Sequence, residues 1–85
     1  MSAPTVLSVK RRNGVAGAFE LVASVQYLGE SPESVTFVGS AYGAPIVMVL
    51  PSGLQTFVSR DVTDRIGSEL TPEWVARFFA ERSAS

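Results

Sequence analysis

Eighty-five residues, 46% hydrophobic and 18% charged, are enough for one hydrophobic core and too few for two, and the composition is that of a folding chain rather than a disordered one. Cysteine and histidine are both absent, which removes disulfides, thiolate nucleophiles, ordinary zinc sites, Ser-His-Asp and Cys-His catalysis and any histidine switch near neutral pH. The net charge of −1 and pI near 5.2 give no global attraction to phosphate backbones or anionic lipid. The longest apolar run, Ile46–Leu50, is far too short to span a bilayer, and Met1–Lys10 lacks the pattern of a signal peptide, so the expectation is an intracellular protein without membrane contact.

The first predicted element is a hairpin. Asn13-Gly14 separates two β-rich runs, Thr5–Arg11 and Val15–Leu28, and such a pair marks a turn because glycine accepts positive φ without strain. A two-residue loop would mix polar and apolar residues on each face. A three-residue loop, Arg12-Asn13-Gly14, pairs Leu7 with Phe19 and Val9 with Gly17, and it gathers Thr5, Leu7, Val9, Phe19, Leu21, Ala23 and Val25 on one face with Ser8, Lys10 and Glu20 on the other. Residues 18–28 also carry helical spacing at Ala18, Leu21, Val22, Val25 and Leu28, but the preceding turn and the alternation of Phe19, Leu21, Ala23, Val25 and Tyr27 favour a strand.

Gly29–Ser34 reads as a turn, Ser34–Gly39 as a short strand with Val35 and Phe37 on one face, and Ser40–Ala44 as a loop. Ile46–Leu50 shows no alternation, which predicts a central strand covered on both faces. Pro51-Ser52-Gly53 makes the next turn and Leu54–Ser59 a returning strand. Residues 60–70 read as a connection. The helix over 71–82 has the clearest signals: Thr71 as N-cap, Pro72 at the first helical position, Glu73 in the first turn, and Leu70 and Val75 placed as a hydrophobic staple. Its stripe of Trp74, Val75, Phe78 and Phe79 faces a core, with Glu73, Arg77 and Glu81 turned away. The expected fold is a single α+β domain over 1–85: a small antiparallel sheet of about five strands over 5–59, meander or partly closed barrel, with one C-terminal helix packed on it.

No constellation of residues carries catalysis. Asp61, Asp64 and Glu69 cluster before the helix, but Arg60 and Arg65 lie among them, and ion pairing with turn chemistry explains the segment without a metal. Gly39–Ala44 has glycines without the lysine and helix of a phosphate loop. Ser52 and Ser59 have no histidine base, and Lys10 is the only lysine. No enzyme activity and no cofactor are expected. Two binding readings compete. Lys10, Arg11 and Arg12 at the predicted hairpin tip could grip phosphate as a basic β-ribbon does, though no aromatic interleaves them. The stronger reading starts from excess apolar surface: one helix covers one face of a sheet, yet Ile46–Leu50 is apolar on both. Val47 or Met48, whichever points away from the helix, and Tyr42 at a loop tip are then candidate contacts with a second copy or another protein.

The segment Pro45-Ile46-Val47-Met48-Val49-Leu50-Pro51-Ser52-Gly53-Leu54-Gln55-Thr56-Phe57-Val58, followed by Glu73-Trp74-Val75-Ala76-Arg77-Phe78-Phe79, resembles small uncharacterised proteins encoded by phages of actinobacteria. The resemblance covers the C-terminal half and brings no catalytic residues. It implies a phage or prophage origin, a place in the host cytoplasm or the virion, and a role in particle structure or in binding a host protein.

Overall fold

Short connections between successive strands make sequence neighbours antiparallel neighbours in space. The computed structural model describes residues 4–13, 18–40 and 45–84, the side chains of 40 and 82–84 excepted. Strands β1 (Thr5–Asn13), β2 (Ala18–Gln26), β3 (Glu33–Ser40), β4 (Val47–Val49) and β5 (Gln55–Phe57) lie side by side in chain order, and helices α1 (Arg60–Ile66) and α2 (Pro72–Ala84) follow. Each strand is antiparallel to the next. The fold is therefore α+β, an open meander rather than a closed barrel, with helices at the C-terminal end.

The β1–β2 hairpin departs from the expected register. Val9 pairs with Ala23 rather than Gly17, Asn13 pairs with Phe19, and Arg12 sits inside the ladder opposite Glu20. Gly14 and Gly17 lie outside the described residues, but a loop containing Arg12 is ruled out by that pairing. The shift is an even number of residues, so from Val9 onward the assignment of faces survives: Leu21, Ala23 and Val25 are buried, with Val9 and Phe19 packed against them. Before Ser8 it fails. A β-bulge between Val6 and Ser8 turns the strand by one residue, so Val6 joins the core while Leu7 is 49% exposed.

At the second hairpin of this kind the turn chemistry holds. Leu50 and Leu54 close it, with Leu50 N–H donating to the Leu54 carbonyl at 2.9 Å and Gly53 N–H donating to the Leu50 carbonyl at 2.8 Å. Gly53 has φ 92°, a conformation that costs other residues energy and that a three-residue hairpin loop requires at this position. The apolar run predicted a central β4, but the middle strand is β3, and among the described residues helices pack on one face of the sheet. Ile46 and Met48 lie under the helices, while Val47 and Val49 stay half-buried on the opposite face.

Two helices, not a plain connection and one helix, cover the other face. α1 forms within the segment read as a link. It ends at Gly67, whose N–H donates to the Thr63 carbonyl, and Val62 and Ile66 pack on the core. α2 starts as its residues dictate: the Thr71 hydroxyl accepts the Trp74 N–H at 3.1 Å, and Leu70 and Val75 are both buried. The Trp74 indole N–H reaches the Gly67 carbonyl at 2.7 Å, and Arg65 lies 3.7 Å from Glu81, so the end of α1 is held to α2.

The aromatic stripe of α2 surrounds one residue of β3. Phe37 is fully buried and meets Trp74, Phe78 and Phe79 edge-on at centroid distances of 5.5, 5.4 and 6.0 Å. Trp74 and Phe78 stack at 5.3 Å. Two residues along β3, Gly39 makes room for the start of α2: a Cβ there would lie 3.2 Å from Phe19 Cζ and 3.3 Å from Leu70 Cδ2.

Trp74→Ala removes the stacked ring and the hydrogen bond to α1, an expected loss of about 3–5 kcal/mol in a domain whose whole stability is about 3–5 kcal/mol. Circular dichroism at 25 °C should show a largely unfolded chain, whereas Thr71→Ala, costing about 1 kcal/mol, should only lower the urea midpoint. Wild-type melting by the Trp74 variant would contradict this packing. Gly39→Ala should cost about 1–3 kcal/mol through overpacking, and clearly less when Phe19 is also leucine. Equal costs in the two backgrounds would separate Gly39 from Phe19.

Candidate interaction surface

Residues opposite one another in an antiparallel ladder project from the same side, so the pairings define each face of the sheet. One row on the covered face runs Arg11, Leu21, Phe37, Met48, Thr56. On the open face two rows lie side by side: Arg12, Glu20, Val38, Val47, Phe57, and Lys10, Val22, Thr36, Val49, Gln55. A third brings Ser8, Ser24 and Ser34 together. The open face thus has a polar part on β1 and β2 and a mostly apolar part on β3 to β5, Val38, Val47, Val49 and Phe57 with Thr36 and Gln55 among them, and Val22 at its border.

Val22, Val38, Val47 and Val49 are half-buried by their neighbours in the sheet, and Phe57 at the end of the patch is 72% exposed. Because valine branches at Cβ and packs flat on a pleated surface, this patch is low and largely apolar, interrupted by Thr36 between Val22 and Val49, with one ring raised at its border. Val47 therefore faces outward on the open side of the sheet. Met48 does not: it is 8% exposed beneath the helices, because neighbouring strand residues point to opposite faces. Tyr42 lies outside the described residues.

The basic triad is not at a tip. Lys10, Arg11 and Arg12 occupy the paired part of β1 and alternate between faces. Arg12 forms an ion pair with Glu20 at 3.0 Å on the open face, while Arg11 turns to the covered side and places its guanidinium 4.6 Å from the Phe19 ring centroid, a cation–π contact at the sheet margin. Three cations in sequence thus give two on one face and one on the other. Among the described residues no group of three or more acidic side chains could hold a metal ion. Asp61 and Asp64 are exposed on α1, and the Ser52 hydroxyl only accepts the Leu54 amide at 3.4 Å.

No known protein family, curated protein or solved structure matches this chain. Among the described residues no helix is long and apolar enough to cross a membrane. The residue that sequence reasoning missed is Phe57. Its signal lay in the Leu50–Leu54 hairpin: once Gly53 fixes a three-residue loop, counting back pairs Val49 with Gln55, Met48 with Thr56 and Val47 with Phe57, as observed.

The Arg12–Glu20 pair is exposed, at 63% and 34% of the side chains, so its attraction is screened and offset by side-chain entropy. Arg12→Ala should change the urea-derived stability by no more than about 1 kcal/mol. A larger loss would make this pair a structural element of the hairpin.

Proposed function

We propose that the chain is a non-enzymatic, self-assembling protein that packs against a second copy of itself through the open sheet face. The observation that carries this reading is the outward-facing group of Val22, Val38, Val47 and Val49, set around Thr36 and ending at the exposed Phe57. Sheet-on-sheet packing needs a flat, β-branched partner face about 10 Å away, and a second copy supplies one of the same shape. The polar corner carries both signs, Lys10 and Arg12 with Glu20, so two such faces do not meet as like charges alone. A domain of this size also gains stability by association. The resemblance of residues 45–58 and 73–79 to actinobacterial phage proteins supports reading that assembly as part of a particle, in the virion or the host cytoplasm, with a host protein as the other occupant of the same face. The nucleic-acid reading has no observation in its favour, since the three cations are divided between faces and two are engaged by Glu20 and Phe19.

Light scattering at micromolar concentration should give at least a dimer. Val47→Glu should give a folded monomer, because it places a charge in the proposed contact, while Met48→Glu should unfold the chain by burying a charge beneath α2. A wild type that stays monomeric as concentration is raised, with a Val47→Glu variant indistinguishable from it, would end the self-assembly reading.

A further inference from the structure

Where β5 runs into α1 the sheet edge and the helix leave an open groove of about 600 Å³, within the range of small-molecule sites, roughly 300–1,000 Å³. Its apolar wall is made by Pro45, Ile46, Phe57 and Val58. Its polar rim is Arg60, Thr63 and Ser68, so the lining includes one cation, two hydroxyls and no carboxylate. Arg60 and Thr63 share a face of α1 at i, i+3 spacing, and the neighbouring Asp61 and Asp64 are not part of the lining.

Among the described residues the charge on Arg60 has no counter-ion within ion-pair distance. The ion pairs among the described residues are Arg12–Glu20 and Arg65–Glu81, and the Thr63 hydroxyl donates to the Arg60 carbonyl at 2.9 Å rather than engaging its guanidinium. A guanidinium offers five donors in a planar fork that fits a carboxylate on both oxygens. The groove therefore combines a hydrocarbon surface with a cation at its rim, and its described lining holds no carboxylate. We propose that it binds small amphipathic carboxylates, a short hydrocarbon chain lying on Pro45, Phe57 and Val58 with the carboxylate paired to Arg60.

Octanoate is the probe, with octylammonium and acetate as controls that keep the chain or the charge alone. In nitrogen-15 NMR titrations of the wild-type protein, octanoate should produce saturable shifts at Ile46, Val58, Arg60 and Thr63. Octylammonium and acetate should each bind at least about tenfold more weakly. Arg60→Gln, an exposed position, should bring octanoate down to the level of octylammonium while the Trp74 indole resonance stays in place as a report of the intact fold. The proposal is overturned by octanoate and octylammonium binding equally, by shifts at Val47 and Val49 instead of the groove, by an Arg60→Gln variant that binds octanoate as the wild type does, or by no saturable shift at all.

Discussion

The packing of Phe37 against the α2 aromatics is the contact on which the other features depend. β3 is the middle strand, and Phe37 stands at its middle on the covered face, opposite Leu21 on one side and Met48 on the other. Three rings of α2 approach it edge-on, a geometry that sets the positive ring edge against the negative face and holds the helix at a defined distance and rotation. Once α2 is fixed there, its first turn must pass over β3 near Gly39, and the absence of a side chain at Gly39 lets Leu70 and Phe19 close in. The cap at Thr71 and the indole bond from Trp74 to Gly67 then determine where α1 ends. Helix placement, the glycine in the central strand and the docking of α1 are successive consequences of one ring.

What could be read from the sequence was governed by local chemistry. The C-terminal helix was legible because its cap, first-turn proline and aromatic stripe are all set within a few residues, and the structure reproduces each. The Leu50–Leu54 turn was legible because Gly53 has a conformational role that few other residues fill. The first hairpin used the same three-residue loop and failed there, since Asn13-Gly14 is a turn signal that the strand overrides by pairing through Asn13. The longer ladder brings Val6 and Val9 onto Val25 and Ala23, and that gain in cross-strand packing is a tertiary term invisible to a turn rule. The bulge between Val6 and Ser8 is likewise a compromise between two pairings, and no residue in Val6-Leu7-Ser8 announces it.

The surface was legible in outline only. Excess apolar residues in Ile46–Leu50 gave notice that one side of the sheet would be left over, but an unbroken apolar run cannot show which residues face which way. The ladder decides it, placing Val47 and Val49 outside and Met48 within. α1 went unread because Arg60–Ile66 has only two turns and buries no residue fully; its helix is stabilised by lying against the core and α2, not by propensity. Arg11 stands between Lys10 and Arg12 in the sequence, but strand periodicity sends it to the other face, where Phe19 receives it. Charge adjacency in sequence is not charge adjacency in a strand.

How the sheet is edged bears on how two copies would meet. β1, the long outer strand, carries Lys10, Arg11 and Arg12 and a bulge between Val6 and Ser8, and charges and bulges are what keep an exposed edge from adding further strands. β5, at the other margin, is three residues long and offers few free amides and carbonyls to a partner. Edge-to-edge growth, which would continue the sheet indefinitely, is thus discouraged at both margins. The face is not protected in this way, for its charges stand at one corner and its centre is Thr36 and Val38, with Val47 and Val49 beside them. Under the proposed reading, association through that face uses the same patch on both copies, and such an isologous contact is complete at two. Under the same reading, edges that are poor templates and a face that carries outward valines favour a closed pair over a fibre.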